Sequence, residues 1–172
     1  PKYNLNGKLA DHDADISITN HKATDVGFDG TVNNEHGSLT VEWTGKDGSG
    51  SLLRGNVYTA NELTIGEDSI APLWLHKLII KNAKNVGSGV NDRFTAYMSK
   101  KGESDPVVDI TASGDAYLDL ALMDIHMYQS KDDPGFSPVS TDPITESLNI
   151  SNITAGGAVD IVLEESRRLN YL

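Results

Sequence analysis

Apolar and polar residues alternate along much of this chain with a period of two. In "SLTVEWT", Leu39, Val41 and Trp43 fall on one side and Thr40, Glu42 and Thr44 on the other, the pattern of a strand with one buried face. "LWLHKLIIK" (Leu73 to Lys81), "RFTAYM" (Arg93 to Met98), "DPVVDIT" (Asp105 to Thr111) and "AVDIVLE" (Ala158 to Glu164) read the same way. Between them stand turn signals: "GKDGSG" at Gly45, "NVGSG" at Asn85, "KKGESDP" at Lys100, "ASGD" at Ala112, "DDPGFSP" at Asp132 and "TAGG" at Thr154. Short strands punctuated in this way predict an all-β fold, an antiparallel β-sandwich or jelly roll, occupying 16–172 as one domain.

Two stretches break the rhythm. In "DAYLDLALMDIHMYQ" (Asp115 to Gln129), Leu118, Leu120 and Leu122 alternate, and then the phase shifts to Met123, Ile125 and Met127. A bulged strand explains the shift, because one extra residue re-aims every later side chain. An amphipathic helix is the rival, since Leu118, Leu122 and Ile125 also share a helical stripe. At the N-terminus Tyr3, Leu5 and Leu9 sit at odd positions, whereas Ile16 and Ile18 sit at even ones. The pleat therefore restarts across the acidic "DHDAD" (Asp11 to Asp15), with 1–10 as a candidate strand and 11–15 as an acidic linker. Residues 1–10 are either an ordinary first strand paired on its own sheet or an arm donated to the sheet edge of a neighbour.

Length and charge narrow the classes. The 172 residues suffice for one domain with a sizeable core. Fourteen Lys and Arg stand against 25 Asp and Glu, for a formal net charge of -11. Such a field repels phosphate backbones and anionic lipid, so nucleic acid is not an expected partner. It attracts divalent cations, and the chain is rich in the oxygen ligands hard cations prefer. Without cysteine there is no disulfide, thiolate ligand or thiol nucleophile. No apolar run approaches the roughly 20 residues of a membrane-spanning helix. The start at Pro1 suits a processed, exported chain, as do the sequons "NIS" at Asn149 and "NIT" at Asn152, the candidate glycosylation sites.

The search for catalytic patterns is negative. The chain holds no H-E-x-x-H, phosphate loop, G-x-G-x-x-G or G-x-S-x-G, and "GSGS" at Gly48 and "GSG" at Gly87 read as turns. No catalytic residue is assigned and the chain is not read as an enzyme. Of the five histidines, His76 and His126 lie within apolar runs and read as satisfied strand residues, while His12 and His21 flank the acidic stretch and His36 has no ligand spacing. Asp11, Asp13 and Asp15 open like an EF-hand loop but lack its glycine and final glutamate, His21 and Lys22 following instead. They are the candidate calcium site. Against it stands a solvated linker whose charges protect a sheet edge. No cofactor is required. Trp43, Trp74, Tyr58, Tyr117, Phe28 and Phe94 could line a sugar-binding face, but Trp43 and Trp74 occupy apolar strand positions and read as core.

"LTIGEDSIAPLWLHKLIIKNAKNVGSGVNDRFTAYM" and the closing "NISNITAGGAVDIVLEE" resemble the central and final strands of TasA and camelysin-type matrix proteins, to which archaeal bundling pili are also similar. The resemblance implies a secreted jelly-roll subunit that polymerises by passing an N-terminal strand to the next copy. Tyr3, Leu5 and Leu9 would then be the donor strand and 11–15 the crossover. The family's "aGtL" opening has only a loose counterpart in "GSLTVEW", and the protease activity described for some camelysins has no zinc motif here. The expectation is thus a cell-surface or extracellular filament subunit, of pilus or biofilm-matrix type, that partners itself head to tail. A secreted carbohydrate-binding or lectin-like adhesin and a viral jelly-roll capsid or appendage subunit are the alternatives.

Overall fold

The computed structural model describes residues 13–60, 63–65, 68–70, 73–101, 103–123 and 147–164, and their regular structure is all strand. The strands are β1 (Asp15–Asn20), β2 (Val26–Phe28), β3 (Val32–Trp43), β4 (Val57–Thr59), β5 (Leu63–Ile65), β6 (Asp68–Ile70), β7 (Leu73–Ala83), β8 (Phe94–Ser99), β9 (Val107–Ala112), β10 (Ala116–Met123), β11 (Asn149–Ala155) and β12 (Val159–Glu164). The alternating segments read from the sequence are strands, and 116–123 is strand as well.

Their pairing overturns the expected antiparallel sandwich. Every ladder among the described strands is parallel except the small hairpin of β5 and β6. The jelly roll implied by the TasA resemblance is likewise not the fold. Parallel strands need a long crossover, usually a helix, yet here the crossovers are themselves strands on other sides of the molecule. The chain winds as a β-solenoid. Each coil lays one strand over the equivalent strand of the coil before it.

The ladders make the winding explicit. On one side Ile16, Leu39, Leu78, Val108 and Ile150 stack in register, and beside them Ile18, Val41, Ile80, Ile110 and Ile153. On a second side run Val26, Val57, Val86, Ala116 and Val159. On a third, Asn33 is followed by Trp74, Tyr97 and Ala121. The long strands β3 and β7 carry the chain from one side to the next, and in β3 the register shifts between Asn34 and Ser38, where the chain turns the corner. Asn34 holds that corner: its Oδ1 accepts from Ala14 N at 2.9 Å, and its Nδ2 donates to Ala14 O at 2.7 Å.

The alternation arises because alternate side chains of each coil point into the bore. Leu39, Val41, Leu78, Ile80, Val108 and Ile110 are buried, whereas Ser17, Thr40, Ile79, Asp109 and Asn152 form an outward row in the same ladders. A half-buried strand has this pattern whichever way its neighbour runs. Period two therefore identified the strands and left their direction open. Trp43 is fully buried and donates Nε1–H to Thr24 O at 3.1 Å, and Trp74 stacks on Tyr97 at 6.2 Å. Trp43 belongs to the core, as its strand position implied, whereas Trp74 is buried on the opposite face of β7 from the core residues Leu73 and Leu75. Phe28 meets Phe94 edge to face at 6.4 Å, closing the bore on the second side.

Candidate functional site

A polar ladder runs up one corner of the solenoid, where each coil leaves its first side. Asp25 Oδ1 accepts from Asn56 N at 2.8 Å and Asn56 Nδ2 at 3.1 Å. Asn56 Oδ1 in turn accepts from Asn85 Nδ2 at 2.9 Å, and Asn85 Oδ1 from Asp115 N at 2.8 Å. Asp115 Oδ1 accepts from Ala158 N at 2.8 Å and so joins the last coil. Each short side chain satisfies a backbone or side-chain donor one coil away, which a corner needs because regular sheet pairing lapses there. The residue after each ladder position, Val26, Val57, Val86 or Ala116, points inward, and the next, Gly27, Tyr58, Gly87 or Tyr117, faces out.

This outward row lines a groove of about 480 Å³. Asp25, Asn56, Asn85 and Asp115 form one flank, Tyr58 and Tyr117 stand in it, and Ser88 and Asp92 contribute from the loop that follows Gly87. That loop is tight, with Ser88 N donating to Asp92 O at 2.9 Å and Asp92 N to Gly89 O at 3.1 Å. Gly87 has φ of 69°, and a Cβ on it would lie 2.6 Å from Tyr117 O, so glycine is required at the groove floor. A Cβ on Gly27 would collide with the Tyr58 ring, which therefore lies over that glycine. Three carboxylates line the groove, and no Lys or Arg does. Tyr58 is 38% exposed.

The residues singled out in the sequence lie elsewhere. Tyr3, Leu5, Leu9, Asp11, His12 and His126 fall outside the described residues. Asp13 receives Lys101 Nζ at 2.7 Å on each oxygen, which holds its carboxyl below the ordinary carboxylate range. Asp15 is the first residue of β1 and accepts from Ser38 Oγ at 2.6 Å. Among the described residues no three His, Asp or Glu side chains come together as a metal-holding group. His21 Nδ1 lies 2.9 Å from Thr44 Oγ1, His36 is half-buried in β3, and His76 is buried with Nδ1 2.9 Å from Ser99 O. Asn149 is exposed, whereas Asn152 Nδ2, the atom a glycan would use, donates to Asp109 Oδ1 and Ile110 O at 3.1 Å each.

Of the six aromatics weighed as a sugar-binding face, Trp43, Phe28 and Phe94 pack in the core, Trp74 is buried against Tyr97, and only Tyr58 and Tyr117 reach the groove. The signal that could have found the corner was an internal repeat. Asp25-Val26, Asn56-Val57, Asn85-Val86 and Asp115-Ala116 recur at separations of 31, 29 and 30 residues. A recurring period of 20 to 50 residues is the mark of a solenoid.

Comparison with protein-family models, with curated proteins and with solved structures finds no match. Among the described residues, no helix is long and apolar enough to cross a membrane.

Proposed function

We propose that the chain is a structural subunit of an extracellular filament or matrix fibre, lengthened when the last coil of one copy receives the first coil of the next. The observation that carries this reading is the pair of co-directional end coils, each paired on one side only among the described strands. Among the described strands β1 pairs with β3 alone, while β11 and β12 pair only with β9 and β10. The last coil also exposes Ile150, Val159 and Leu163 at 45%, 49% and 56%. Solenoids require polar capping repeats to stay soluble, and these apolar side chains do not make one. A second copy in register would set Ile16 over Ile150 and Ile18 over Ile153, continuing both ladders. Such a head-to-tail contact does not close on itself, so it builds a filament. Donation of Tyr3, Leu5 and Leu9 would supply the same kind of bond, because an extended arm on the edge of β11 also continues the sheet.

Negative-stain microscopy and light scattering on the full chain should show fibres, and on a Val159→Lys, Leu163→Lys form should show monomers. Fibres that persist after removal of residues 1–10 assign growth to coil stacking, and fibres that vanish assign it to the donated strand. A monodisperse monomer under every condition sinks the filament reading. The calcium reading adds one arm. Calcium at Asp11, Asp13 and Asp15 must displace Lys101 from Asp13, so fibre formation that depends on calcium and is lost in Asp15→Asn supports it.

A further inference from the structure

We propose that the groove along the corner ladder binds an uncharged glycan chain, with Tyr58 and Tyr117 as its stacking platforms. This site lies on the side of the solenoid and not on its ends, so it stays open in a filament, and its test stands apart from the filament's.

The shape follows from the coil repeat. Neighbouring strands lie about 4.8 Å apart, so the flank from Asp25 to Asp115 spans three coil steps, about 14 Å, enough for a short oligosaccharide. Tyr58 and Tyr117 belong to alternate coils, with Gly87 between them. Gly87 adds no side chain between the two tyrosines, and backbone of Tyr117, Phe94 and Asp92 packs close above it, so the strip between the rings is a flat, rigid floor. An amphipathic ring suits such a floor with an aromatic side chain at either side. Aromatic faces pack against the C–H faces of sugars, while the phenol hydroxyls keep polar partners.

The flank supplies the polar half of the recognition. The ladder bonds of Asp25 and Asp115 go to Oδ1 in each case, so Oδ2 takes no part in the ladder. With Asp92 these groups are acceptors for sugar hydroxyls, and carboxylate hydrogen bonds are the stronger kind. The same three carboxylates, with no Lys or Arg in the lining, disfavour uronic acids and sulfated or phosphorylated sugars. The ladder is held from coil to coil before any ligand arrives, so the ligand meets a preformed surface.

Titration calorimetry of the full chain with cellohexaose, maltohexaose and mannohexaose, and with hexagalacturonate and hexalysine as charged counterparts, tests the assignment. At least one neutral hexaose is expected to bind. Tyr58→Ala and Tyr117→Ala should each weaken that binding about ten-fold, and Tyr58→Phe should largely preserve it. Asp92→Asn, on an exposed loop residue, should weaken it without moving the melting temperature and guards against a folding defect in the tyrosine variants. No binding of any neutral hexaose overturns the proposal, as does binding that both alanine variants leave unchanged. Tighter binding of hexagalacturonate or of hexalysine overturns it too, the latter in favour of a cationic ligand.

Discussion

Single side chains hold the corners of this molecule, and their effects are measurable one at a time. Asp47 takes Ser49 Oγ at 2.6 Å, Ser49 N at 2.8 Å and Ser51 N at 2.9 Å on one oxygen, bonds that favour the ionised form and hold its carboxyl below its ordinary value of 3.8. Because the folded value is depressed, the stabilisation is present above the unfolded value and is lost as pH falls through the folded one. A carboxyl-detected NMR titration should place Asp47 and Asp13 below the ordinary value of 3.8, and Lys101→Ala should return Asp13 toward it. Asn85 bonds both neighbouring coils. Asn85→Ala leaves a part-buried acceptor on Asn56 and a donor on Asp115 to find other partners, at a cost of about 1–3 kcal/mol in urea denaturation. Gly87→Ala should be at least as costly, since its φ of 69° and the nearby Tyr117 carbonyl both oppose a side chain.

Strands in a solenoid depend on the coil above and the coil below, so position in the stack sets their stability. Ile80 is fully buried between Val41 and Ile110, whereas Ile153 in the last described coil is half-buried and rests on Ile110 alone. Ile80→Ala should therefore cost about 2–5 kcal/mol, and Ile153→Ala distinctly less. Native-state hydrogen exchange should rank the amides the same way, with β7 and β9 slowest and β1, β11 and β12 fastest. Addition of a second copy to the last coil should slow β11 and β12 selectively. A monomer that protects all strands equally would contradict nearest-neighbour stacking.

The described coils form a short stack whose two ends match in strand direction, in a chain with a formal net charge of -11. Fibres grown by coil stacking carry their strands across the fibre axis, so oriented samples should diffract at about 4.8 Å along that axis. An assembly of side-by-side rods would put that reflection elsewhere. The net charge of -11 makes lateral contact between rods repulsive, and that repulsion is screened beyond about 10 Å at 0.1 M salt. Bundles should therefore thicken as salt rises while the number of coils per unit length stays constant.

Sequence by itself determined which residues face in and which face out. Leu39, Val41 and Trp43 are buried as their alternation requires, and so are Leu78, Ile80, Val108 and Ile110. It also marked the turns, since Asn85 and the Ser113-Gly114-Asp115 stretch lie at coil corners. Strand direction was beyond its reach. A side chain on a pleated strand points to the same face whether the neighbour runs parallel or antiparallel, so Ile80 reads alike in a sandwich and in a solenoid. The groove was hidden for a related reason. Asp25, Asn56, Asn85 and Asp115 are each an ordinary turn residue on its own, and only the winding of the chain stacks residues 29 to 31 positions apart into one polar edge beside Tyr58 and Tyr117.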